Sequence, residues 1–156
     1  MEALRLTAAL GSLGPAAAYT TRLAQAAGLG ELDSYRLRLA VDELVTNITT
    51  YGYGEDPAGV IELAGSVETG TVVLHITDWS PPFDPVNAPS PDFDPTTPPE
   101  RRPPGGYGLV LVRQVSDVLS YRRVGDENQT TIVIRRGTGR SGHGVDGADR
   151  HRLRTG

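Results

Sequence analysis

Ten of the chain's twelve prolines fall between Pro81 and Pro104, and that crowding limits what the chain can fold into. Proline donates no backbone hydrogen bond and fixes φ, so neither a helix interior nor a central strand absorbs such a run. Residues 81–104 are therefore expected to form a long loop with proline-stiffened stretches. Every regular element has to come from the sequence on either side. Loops of this length inside a compact domain tend to be lids, binding loops or disordered segments. At 156 residues the chain suffices for one domain with a real core and is too short for two comfortable ones.

Before the loop, Leu4 and Leu6 alternate with polar neighbours and predict a short strand. Pro15 suits a first helical turn, an alanine-rich body follows, and Gly28 or Gly30 is the stop, which predicts a helix over residues 15–28. In ELDSYRLRLAVDELVTNITTYGYG the expected N-cap is Asp33 or Ser34. Leu37, Ala40, Val41, Leu44 and Ile48 then recur on one apolar helical face, and Gly52 and Gly54 close it. Val60 to Val67 and Val72 to Asp78 read as a hairpin turning at Glu68-Thr69-Gly70. Beyond the loop, GYGLVLVRQVS fits two periods: Leu-Val-Leu-Val suits a strand, while Leu109, Val112 and Val115 suit a helix. Residues 118–124 and 130–136 read as a closing hairpin around GDENQ. A helix followed by paired strands is an α+β signature. The segment 137–156 is rich in glycine and arginine without periodicity, and a disordered tail is expected there.

Composition removes several functions. The chain contains no lysine, so neither a phosphate-loop lysine nor a Schiff base is available. A formal net charge of -4 argues against direct nucleic-acid binding, which wants a basic surface. Without cysteine there are no disulfides and no thiolate metal sites. No apolar run reaches the length of a membrane span, and the start MEALRLTAAL reads as mature protein rather than signal peptide. A soluble cytoplasmic protein is the expectation.

Glu43 and Asn47 lie four apart on the second helix, so their side chains project from one side, on the shoulder of the apolar stripe. A carboxylate there can accept a proton, and an amide oxygen can join a Mg²⁺ shell otherwise made of water and phosphate. The alternative is that both face solvent. Asp78 ends a strand, where aspartate is commonly a turn-former; its carboxylate also suits an exocyclic amine such as adenine offers. Gly105, Gly106 and Gly108 mark a turn that needs positive φ or close backbone approach. His75 stands alone on its strand and His143 and His151 fall in the tail, so none receives a role.

Taken in order, AVDELVTNI, DWSPPFDP, GGYGLVLVRQVSDVLSY and ENQTTIVI make residues 5–135 resemble the Bergerat-fold, histidine-kinase-like ATP-binding domains. Within them the match is closest to the anti-sigma-factor serine/threonine protein kinases. The resemblance implies an α+β two-layer sandwich, with a mixed, mostly antiparallel sheet and helices on one face. The implied domain runs over residues 1–136, with a lid at about 80–105, and the resemblance makes Leu109 to Ser116 helix. It implies ATP and Mg²⁺, with Glu43 as general base, Asn47 as metal ligand and nucleotide contact, Asp78 as acceptor of the adenine amine and Thr130 as a hydroxyl near adenine. Gly105, Gly106 and Gly108 would let the main chain approach the phosphates at a helix start, where N–H groups and the dipole favour anions. Ser80 and Leu109 complete the nucleotide-binding set. The implied function is phosphorylation of a STAS-domain anti-anti-sigma protein together with binding of a sigma factor, by a chain of a kind that commonly forms homodimers. The alternative is a nucleotide-responsive partner-binding module that transfers no phosphate.

Two positions depart from the family's pattern. Asp78-Trp79-Ser80 stands where the family usually has Asp-x-Gly, so the chain is less open to close approach there. Thr50 stands where relatives often place a basic side chain near the phosphates; Arg101 or Arg102 of the lid is the candidate substitute, unless both are solvated loop charges.

Overall fold

The computed structural model describes residues 1–89, 96, 98 and 107–137. In chain order these form β1 (Leu4–Thr7), α1 (Leu13–Ala27), α2 (Glu31–Asn47), β2 (Val60–Glu68), β3 (Thr71–Asp78), α3 (Tyr107–Val115), β4 (Val118–Val124) and β5 (Glu127–Arg135). A π turn, Ile48–Gly52, extends α2. Most of the expected lid and nearly all of the expected tail lie outside the described residues.

Helix α1 stops at Gly28, whose left-handed φ of 68° lets its own N–H and that of Leu29 return to the last carbonyls. The chain re-enters a helix almost at once. Gly30, not Asp33 or Ser34, is the N-cap of α2, because the Ser34 N–H already bonds the Gly30 carbonyl. Glu31 and Asp33 therefore sit in the first turn, where acidic side chains complement the dipole. The apolar face of α2 is the one its spacing predicts: Leu37, Ala40, Val41 and Leu44 are buried, Val45 joins them, and Ile48 is half-buried. With Tyr19, Leu23, Ala24 and Ala27 of α1 it forms one continuous core against the sheet. Tyr19 also uses its hydroxyl to accept the Gly65 N–H of β2 at 2.9 Å.

The strand order is β1-β2-β3-β5-β4, and every pairing is antiparallel rather than mixed. The step from β3 to β4 skips one place in the sheet, and the proline-rich segment with α3 supplies that crossover. The closing hairpin is tighter than GDENQ suggests. Val124 pairs directly with Glu127, Gly125 takes a φ of 55°, and Asn128 and Gln129 belong to the strand.

Alternation on β3 and β5 turns Val72, Leu74, Ile76 and Asp78, with Asn128, Thr130, Ile132 and Ile134, towards the helices. Register sets Leu74 beside Ile132, Ile76 beside Thr130 and Asp78 beside Asn128. The covered face is thus apolar along most of its length and polar at one end. The opposite face carries Glu62, His75, Thr77, Gln129 and Thr131, where His75 Nδ1 lies 2.8 Å from Thr131 Oγ1. Among the described residues no helix is long and apolar enough to cross a membrane.

A buried guanidinium joins the other end. Arg36 of α2 donates to Asp33 Oδ1 at 2.9 Å, Asp117 Oδ2 at 3.1 Å and the Val115 carbonyl at 3.0 Å. The carboxylates in turn accept the N–H groups of Gly137 and Arg135. One side chain so ties the start of α2 to the end of α3 and the end of β5. Arg36→Ala removes the buried guanidinium that Asp33 and Asp117 share and is expected to destabilise the fold by about 3–5 kcal/mol. Urea denaturation checks this: a midpoint equal to wild type contradicts it, and Arg36→Lys should recover only part, lacking the planar fork.

Candidate active site

At the polar end of the covered sheet face lies a cleft of about 130 Å³. Leu44, Asn47, Ile48, Tyr51 and Gly52 of α2 and its π turn form one wall, and Asp78 with Asn128 and Thr130 form the floor. Ser80, Pro81, Pro82, Phe83 and Pro85, the root of the proline-rich segment, close the third side. Apolar walls with a few convergent polar groups are the usual make-up of a small-molecule site.

Asp78 is only 2% exposed. Its Oδ1 accepts the Ser80 N–H at 3.0 Å, the Ser80 hydroxyl at 2.5 Å and the Asn128 amide at 2.9 Å. Its Oδ2 takes no hydrogen bond from the described residues. A carboxylate oxygen left without a donor favours any ligand that brings one. The Thr130 hydroxyl and the Asn47 amide also line the cleft without side-chain hydrogen bonds among the described residues. Asn47, Asp78, Ser80 and Thr130, expected together, are brought together.

The strand end that carries Asp78 is held from outside. Tyr53 donates its hydroxyl proton to the Val60 carbonyl at 2.6 Å and accepts the Trp79 N–H at 2.7 Å, while the Trp79 ring turns outward over Arg5. Ser80 turns inward. Its side chain is engaged by Asp78 and fits beside Gly52, where a Cβ would come 2.7 Å from Ser80 Oγ and 3.1 Å from Ser80 Cβ. The missing side chain at Gly52 leaves the space that the Ser80 side chain fills.

Glu43 is half-buried and stands outside the cleft wall, a turn before Asn47. Its carboxylate packs against Gly108 in the first turn of α3, where a Cβ would overlap Glu43 Oε2. Gly108 therefore has a packing reason besides the phosphate approach read from its motif. A carboxylate at a helix start also suits the dipole. Leu109 is buried in the core, so any contact it makes with a nucleotide comes from its main chain. Gly105, Gly106, Arg101 and Arg102 lie outside the described residues. Thr50 is half-buried in the π turn, and no arginine among the described residues lines the cleft.

The root of the proline-rich segment is latched to α3. Asp84 accepts from the Val86 and Asn87 N–H groups and from the Asn87 amide, folding residues 84–88 into a turn. Burial pushes the Asp84 carboxyl up, but the Asn87 side chain, the two N–H groups and the Arg113 cation outweigh it and hold it below the usual carboxylate range. Arg113 of α3 donates to the Pro85 carbonyl at 3.0 Å and the Ala88 carbonyl at 2.6 Å.

Sequence reasoning missed Tyr51, Phe83 and Asn128. Tyr51 follows Asn47 by four residues, a spacing that places both on one helical side. Asn128 precedes Thr130 by two and shares its strand face. No comparable signal marks Phe83. Gly52→Ala should cost about 1–3 kcal/mol by overpacking against Ser80, and Ser80→Gly should relieve most of that. A double-mutant cycle read by thermal denaturation measures the coupling; additive effects would mean that the two side chains do not meet.

A model of the histidine kinase-like ATPase domain matches residues 6–135. The serine/threonine-protein kinase BtrW of Bordetella bronchiseptica is 32% identical over 99 residues, covering 64% of this chain and 68% of the relative. The serine-protein kinase RsbW of Oceanobacillus iheyensis is 25% identical over 100 residues, covering 63% of this chain and 60% of the relative. The match thus spans between three fifths and about two thirds of these relatives' length. The solved RsbU and RsbW domains of Rv1364c from Mycobacterium tuberculosis share the fold at a TM-score of 0.54 and 16% identity, over 86% of this chain and 32% of that one. The chain belongs to the histidine kinase-like ATPase domain family, and its named sequence relatives are serine and serine/threonine protein kinases.

Proposed function

We propose that the chain is an ATP- and Mg²⁺-dependent protein-serine kinase that phosphorylates a STAS-domain anti-anti-sigma protein and binds a sigma factor. The observation that carries the nucleotide reading is Oδ2 of buried Asp78, which takes no hydrogen bond from the described residues and is set in a cleft with Asn47 and Thr130. The kinase relatives and the motif resemblance support the rest.

On this reading Asp78 Oδ2 accepts a hydrogen bond from the 6-amino group of adenine and Thr130 offers its hydroxyl beside it. Tyr51, Ile48 and Phe83 cover the apolar base. Asn47 fits as a metal ligand because its amide has no side-chain partner among the described residues. Those residues contain no cluster of His, Asp or Glu able to hold a metal alone, so phosphate and water complete the shell. Bound Mg²⁺ supplies charge neutralisation along the triphosphate. Glu43, beside the start of α3, takes the proton of the incoming serine hydroxyl. The serine oxygen bonds to the γ-phosphorus, the bond to the bridging oxygen breaks, and ADP leaves. Alignment and charge do most of the work in such a transfer. Sigma-factor binding follows release of the phosphorylated antagonist.

Radiolabelled ATP offered with a panel of STAS-domain proteins tests this. Label should appear on a serine, and Glu43→Gln should slow transfer by about 10²–10⁴-fold, the range for general-base loss, while ATP affinity stays within a few-fold of wild type. Tight ATP binding with no labelled serine replaces the kinase reading with a nucleotide-responsive binding module. Absence of ATP binding removes both.

A further inference from the structure

The side-chain amide of Asn128, 2% exposed, is wedged between partners that tell its two ends apart. Its Nδ2 donates to Asp78 Oδ1 at 2.9 Å and the Ser80 carbonyl at 3.0 Å, with the Pro81 carbonyl at 3.2 Å and Ser80 Oγ at 3.3 Å. Its Oδ1 accepts from the Tyr121 hydroxyl at 2.5 Å and from Arg123 Nη1 at 3.2 Å. A flipped amide would set an oxygen against a carboxylate and two carbonyls, and an NH₂ against a guanidinium. One orientation satisfies the site. Arg123 also donates to the Ser80 carbonyl at 2.8 Å, holding the same main chain that Asn128 holds.

We infer that Asn128, locked by Tyr121 and Arg123 of β4, is a positioning residue that makes the site selective for a purine carrying a 6-amino group. The inference rests on the proposed nucleotide reading and deepens it. An aspartate side chain turns broadly about χ2 and can present either oxygen to a ligand. Three donors on Oδ1 remove that freedom and leave Oδ2 as the acceptor. Two of those donors belong to Ser80, which moves with the strand end. The third comes from the neighbouring strand and ties the carboxylate to the sheet, so Asn128 acts on the base through Asp78.

The test compares the chain's calorimetric affinity for ATP and for purine riboside triphosphate, which lacks the 6-amino group. Wild type should prefer ATP by about ten- to a hundredfold, the range for one hydrogen bond to a charged acceptor. Asn128→Ala should bring that ratio to about threefold or less, with little change for the analogue. Equal losses on both nucleotides, leaving the ratio intact, are what a merely structural residue gives and overturn the inference. Should Asn128→Ala not fold, Tyr121→Phe removes one lock and keeps the ring: a ratio lowered about two- to fivefold supports the inference, and an unchanged ratio overturns it. Wild type binding both nucleotides equally keeps the nucleotide reading and sinks this one; wild type binding neither sinks both.

Discussion

Asp78 and Asn128 face each other on the side of the sheet that is elsewhere filled with leucine and isoleucine. A polar pair in such a place is tolerable only when its hydrogen bonds are made, and much of the local structure supplies them. Ser80 curls back to the carboxylate, Arg123 reaches over from β4, and Tyr53 fixes the strand end from outside. The tight turn at Gly125 matters for the same reason, because it brings Asn128 into register with Asp78 instead of leaving it in a loop. Nearly everything at this end serves one carboxylate, and that carboxylate keeps one oxygen free of the described residues.

Helix α3 is held at both ends by different chemistry. Its last turn is tied to Arg36, and its first turn leans on the Glu43 carboxylate through the space left at Gly108. Both supports come from α2, the helix that also presents Asn47. The spacing of Glu43 and Asn47 is therefore set within one helix, while α3 is docked against it. Arg113 then extends this body to residues 85–88, so the root of the proline-rich segment travels with α3.

The fold was legible wherever period decided it. Leu37, Ala40, Val41 and Leu44 announced the buried face of α2, and alternation announced β2 and β3. The N-cap was misjudged because Asp33 looks like a cap by type; the left-handed Gly28 lets the chain turn back sooner, and the carboxylate is spent on Arg36. Asn128 was hidden because GDENQ is rich in turn formers, and only the pairing of Val124 with Glu127 shows that three of those residues belong to a strand. The space for the Ser80 side chain was not legible from its own motif, because it is left by Gly52, nearly thirty residues earlier, and a fit across such a separation leaves no local trace.

Charge is the remaining constraint on the proposed chemistry. A triphosphate brings several negative charges into a cleft whose described lining contains one carboxylate and no arginine. Arg123, which bonds to residues of the cleft, is committed to Ser80 and Asn128, and Arg113 donates to the root of the proline-rich segment. Moving either to a phosphate would undo the network that holds Asp78 or the latch that holds residues 85–88. Compensation then falls to a cation on Asn47, to the N–H groups at the start of α3, and to Arg101 and Arg102. Of these only the last two are ionised side chains. With no lysine in the chain and a threonine at position 50, the π turn supplies no basic side chain to that balance.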